Sequence, residues 1–124
     1  MKNCLLLLLI IGVLISTVSA DESSCPARRA AEKGFKAIEQ FHHVLGPAWH
    51  SSWSAKDYDA LIAAGPKFDE SFKAIAELEM VFKTEKRTDN FVKGRDELAA
   101  AVKQYSEACQ AGDKEKVYEL MPAL

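Results

Sequence analysis

Apolar residues follow two different patterns along this chain. The first is an unbroken block: from Cys4 to Ile15 every residue except Gly12 is strongly apolar. Beyond residue 20 the apolar positions recur at steps of three and four, the period that lines one face of a helix. Alternating segments and long β-branched runs are lacking, so strands are not expected.

The stepped pattern predicts four helices. The first opens near Ser24 with Pro26 in its opening turn, where a missing N–H costs nothing. Its stripe reads Ala31, Phe35, Ile38, His42, Leu45, and Gly46-Pro47 is expected to end it. Pro47 to Trp53 then makes a short corner holding both tryptophans and His50. Ser54 and Asp57 look like a capping box with aspartate in place of glutamate, opening a second helix that runs to about Lys83. Its stripe is Tyr58, Leu61, Gly65, Phe68, Phe72 and Ile75, continued by Leu78 and Phe82. Pro66 must kink or end this helix. The stripe keeps its phase across the proline, which favours one continuous kinked helix over two short ones. Thr88 or Asp89 caps a third helix with stripe Phe91, Arg95, Leu98, Val102, Tyr105, Cys109, and Gly112 ends it. Asp113 caps a fourth carrying Val117, Leu120, Met121 and Leu124.

Long amphipathic helices joined by short connections predict an all-α, antiparallel up-down bundle of three long helices and a short fourth. The fourth stops on an apolar beat without a polar or glycine terminator, which reads as a helix cut short.

The unbroken block has a different meaning. Met1-Lys2-Asn3 is a short, positively charged start, and the dozen or so apolar residues after it fit the core of a secretory signal peptide. They fall short of the ~20 residues that a membrane-spanning helix needs. Val18 and Ala20 supply the small side chains of a cleavage site, and Asp21 rather than a lipid-accepting cysteine follows. The expected organisation is a signal peptide over residues 1–20 and one helical-bundle domain over residues 21–124. The expected location is the periplasm of a Gram-negative bacterium, with the extracellular space as the alternative.

Cleavage changes the charge and cysteine count. Only Lys2 is lost, leaving 15 basic against 18 acidic side chains, a net −3. A mildly acidic domain without a basic block gives no reason to expect nucleic acid or an anionic membrane as partner, and no membrane span is expected after cleavage. Cys25 and Cys109 remain. In an up-down bundle they start helix one and end helix three, at opposite ends of helices ~30 Å long. A disulfide needs Cα atoms within ~7 Å, so pairing requires the chain to reverse at Gly65-Pro66.

Candidate chemistry is confined to one corner. All three histidines lie between residues 42 and 50, and imidazole is the commonest metal-binding side chain. A fold-back at Gly46-Pro47 would bring His50 toward His42, and the kinked-helix topology carries Cys109 to the same end. His42 and His50, with His43 and Cys109 as secondary candidates, would suit copper or zinc. The competing reading is a metal-free helical interaction or structural module with an envelope protein as partner. Haem attachment, zinc-protease and phosphate-loop motifs are all absent, and no Ser-His-Asp spacing is specific enough to propose a hydrolase, so no enzymatic activity is expected. Arg95 is the odd residue on its stripe, and an ion pair with Asp69 or Glu79 is its expected partner.

The run His42-His43-Val44-Leu45-Gly46-Pro47-Ala48-Trp49-His50, with Ala55-Lys56-Asp57-Tyr58 and Gly65-Pro66 after it, resembles a group of small exported bacterial bundle proteins of uncharacterised function. Their general shape is similar to the cytochrome b562/c′-type four-helix bundle. The resemblance spans residues 35 to 121. It implies a periplasmic bundle with metal ligands among these histidines, while the missing haem motif speaks against a cytochrome role.

Overall fold

The computed structural model describes residues 25–80 and 82–124. The expected signal peptide lies outside the described residues. Among these, every regular element is helical: α1 Pro26–Pro47, a π-helical segment Ala48–Trp53, α2 Tyr58–Ala76, α3 Glu85–Ala111, α4 Lys114–Leu120 and a closing 3-10 turn Met121–Ala123. This is the all-α bundle the periodicity predicts. No helix among the described residues is long and apolar enough to cross a membrane.

The ends of the helices show where local chemistry decides and where packing overrides it. Gly112 terminates α3 at φ 66°, and Asp113 N–H closes back on the Ala108 carbonyl at 3.0 Å, a left-handed glycine stop. The Asp113 side chain then accepts from Lys116 N–H at 3.0 Å and opens α4. Both match expectation. The start of α2 differs: Asp57 itself is the cap, accepting from Ala60 N–H at 3.0 Å, while Ser54 Oγ turns back to the Trp49 carbonyl. Helix α2 also stops at Ala76, well short of Lys83. The third helix starts earlier than expected, at Glu85 after Thr84, and Thr88 lies in its first turns, where its Oγ1 accepts from Phe82 N–H at 3.0 Å.

The two prolines act differently. Pro66 lies inside an uninterrupted α2. It has no N–H for the Ile62 carbonyl, and one residue earlier the Leu61 carbonyl accepts the buried Tyr105 hydroxyl at 2.7 Å. Pro47 stands at the last position of α1, where the break was expected, but the chain passes directly into the π-helical segment rather than into an irregular corner. A wider turn after a proline accommodates the lost bond. Ala48 within it is buried, which anchors the continuation.

Helix α2 is central: α1, α3 and α4 all pack on it, and α1 and α3 have little direct packing between them. Leu61, Phe68, Tyr105, Val117 and Met121 are fully buried. The Phe68 ring sits between Phe41 of α1, at 5.5 Å, and Tyr105 of α3, at 5.3 Å, joining three helices through one side chain.

The largest difference from expectation concerns the face that α1 buries. Ala31, Phe35, Ile38 and His42 are exposed. The inward face is Gly34, Ala37, Phe41 and Ala48, flanked by Val44. Gly34 belongs to this face and makes room for the Met80 side chain. A β-carbon there would stand 2.8 Å from Met80 Sδ, so the absence of a side chain lets α1 sit closer to the chain after α2 than Phe35 or Ile38 would permit.

Arg95 is half-buried, and its partners differ from those expected. One guanidinium nitrogen donates to the Leu78 carbonyl at 3.2 Å and the other end pairs with neighbouring Asp96, not with Asp69 or Glu79. Asp69 is occupied by Ser106 Oγ, which donates to it at 2.5 Å. Cys25 and Cys109 are both free thiols.

Candidate functional site

The corner holding the histidines is built by aromatic stacking. The π-helical segment puts Trp49 and Trp53 face to face, 4.6 Å between centroids, and Tyr118 of α4 continues the stack at 5.5 Å from Trp53. Trp53 Nε1 donates to the Tyr118 carbonyl at 3.2 Å, tying α4 to the corner. Tyr58 tilts against Tyr118 from the first turn of α2. Four aromatic residues from three elements thus close this end of the bundle.

The histidines lie outside that closure. His42, His43 and His50 are all exposed, and none makes a hydrogen bond or ion pair among the described residues. Cys109 is placed differently. Its Sγ lies 2.8 Å from where a β-carbon on Gly65 would stand, so it is seated against α2 rather than on the water-facing side of α1. Among the described residues no group of three or more His, Cys, Asp or Glu side chains is arranged to hold a metal ion. The four candidate ligands are therefore not brought together as one set.

The electrostatics of Cys109 point the same way. Burial, followed by the nearby Asp69 carboxylate, pushes its thiol up to about 11 from an ordinary 9.0. A metal ligand or nucleophile needs the thiolate, which requires a shift downward. Tyr105 is likewise driven upward, chiefly by burial. Both groups are held in their neutral, unreactive forms. The Ser106–Asp69 pair has no imidazole bonded to it, so the serine lacks the relay that activates a nucleophile.

Two measurements follow from this placement. Exposed Cys25 is expected to be alkylated quickly in the native protein at pH 8, with Cys109 modified at least ~10-fold more slowly. Peptide mass analysis over a time course reads both rates, and equal rates would refute the seating of Cys109. Because the folded-state values of Cys109 and Tyr105 lie above their ordinary ones, both groups stabilise the fold at low and neutral pH. Denaturation midpoints should therefore hold up to pH ~9 and fall progressively toward and beyond pH 11 as the two groups ionise.

Two other features are not obvious from the sequence. The first is the uncovered stripe on α1, where Phe35 is 71% and Ile38 42% exposed. The second is a groove of about 340 Å³ between the last turns of α1 and the first half of α2, on the other flank of the buried face. The stripe had a readable signal. Residues 34, 37, 41, 44 and 48 and residues 31, 35, 38, 42 and 45 form two ladders of helical spacing one residue apart, an apolar arc wider than one neighbouring helix covers. Compared with known proteins, the chain matches no family model, no curated protein sequence and no solved structure.

Proposed function

We propose that this protein is an exported, non-enzymatic helical interaction module that engages a protein partner of the cell envelope through the outer face of α1. Export rests on the leader-like residues 1–20. The interaction rests on one observation, the exposed Phe35–Ile38 stripe. Large apolar side chains exposed side by side on a helix are a common mark of a docking surface. Arg28, Glu32, Lys36 and Glu39 border this one, with Arg28 and Glu32 paired at 3.5 Å, a mixed-charge rim around an apolar centre. With only two large side chains at its centre, the patch suits a transient encounter, below the ~1,200 Å² of total burial typical of stable complexes.

The histidine corner supports copper or zinc binding less well, because its imidazoles face water singly and Cys109 is held as a thiol.

The test is site-specific photo-crosslinking in the native envelope. A photo-reactive residue at position 35 should give a discrete adduct, whereas one at exposed Lys93 should not. Ile38→Lys, exposed and so neutral for folding, should abolish the adduct while leaving the circular dichroism spectrum unchanged. Equal adducts at both positions, or an adduct indifferent to Ile38→Lys, would overturn the reading.

A further inference from the structure

The groove between α1 and α2 joins an apolar trough to a basic end. Its walls are apolar and short: Val44 and Pro47 on one side, Ala60 and Ala63 on the other. Its titratable lining consists of His43 and Lys67. Gly34 of α1 lies against Met80 and Phe41 lies against Phe68, so α1 runs antiparallel to α2 and His43 and Lys67 stand at the same end of the groove. Neither makes an ion pair or hydrogen bond among the described residues. Four other grooves on the described surface each carry at least one carboxylate, as expected of a chain with a net charge of −2. This groove carries none.

We infer that it is a binding site for a medium-chain carboxylate, the alkyl body lying along the alanines and the carboxylate meeting Lys67 and His43. The length is compatible. Ala60 to Lys67 covers about 10 Å of helix at 1.5 Å per residue, the reach of a chain of about eight carbons. A volume of about 340 Å³ lies at the small end of ligand-binding cavities. An unpaired ammonium at the end of an apolar trough favours an anionic head group over a neutral or cationic one. This inference is independent of the α1 stripe.

Titration of the protein with octanoate, octanol and octyltrimethylammonium, followed by ¹H–¹⁵N NMR shifts, tests it. Octanoate should bind with a Kd of roughly 0.1–1 mM and shift the amides of residues 43, 44, 63 and 67. Octanol should bind at least ~10-fold more weakly, and the cationic probe should leave these amides unmoved. Lys67→Glu should weaken octanoate by about the same factor. Ala63→Trp, at an exposed position, should fill the groove and abolish the shifts, whereas Phe35→Lys should leave them intact. Equal affinity for all three probes, shifts confined to other residues, or octanoate binding unaffected by both groove variants would overturn the proposal.

Discussion

Phe68→Ala is expected to cost about 3–5 kcal/mol, the range for removing a fully buried phenylalanine. Its ring contacts α1 through Phe41 and α3 through Tyr105, so the cavity would open where three helices meet, and none of them could close it without losing another contact. Typical total stabilities are about 5–15 kcal/mol, so this single change would consume much of what holds the chain folded. Phe35→Ala, at a side chain 71% exposed, should stay within about 0.5 kcal/mol. Urea denaturation of the two variants reads the contrast directly. If they lost stability equally, α1 would have to bury its other ladder.

Gly65→Val should be nearly as damaging, for the opposite reason. A β-carbon at Gly65 would lie 2.8 Å from Cys109 Sγ and 3.0 Å from its β-carbon, inside the distance that real side chains adopt. Helix α3 would be pushed off α2 at the level where the Tyr105 hydroxyl reaches the Leu61 carbonyl. Overpacking costs about 1–3 kcal/mol, more than the few tenths that valine gains over glycine in helix propensity. Cys109→Ala in the same chain removes the sulfur but not the β-carbon, so it should restore part of the loss. Gly94 is the control. Nothing lies within 4 Å of a β-carbon there, so Gly94→Ala should raise stability by about 1 kcal/mol. A destabilising Gly94→Ala, or a neutral Gly65→Val, would contradict the packing of α3 on α2.

These two glycines also show what could be read from the sequence. The bundle class followed from periodicity, and the second stripe was read correctly, with Leu61, Gly65, Phe68, Ile75 and Leu78 all buried. Continuity through Pro66 followed from phase alone. The first stripe failed because two ladders compete on α1 and volume is a poor guide between them. Phe35 and Ile38 have more surface to bury, but on the other ladder Gly34 makes room for the Met80 side chain and Phe41 reaches both Phe68 and Phe72. That depends on what lies opposite, which no local window contains. The passage through Pro47 was equally hidden, since it relies on Ala48 being buried and on Trp53 finding Tyr118, 65 residues later. The histidine cluster was visible as spacing, but its facing was not. The groove joins His43 to Lys67 across two helices, so only the register between them reveals it.

The aromatic stack at the corner has a practical consequence for optical measurement. Both tryptophans of the chain sit in it, stacked on each other and on Tyr118. Fluorescence and near-ultraviolet dichroism will therefore report the docking of α4 on the corner and will be almost blind to the first turns of α1. If the ends of the bundle open separately, an optical melt will precede or follow the amide signal according to which end loosens first, and the offset between the two curves would measure the difference in local stability along one small bundle.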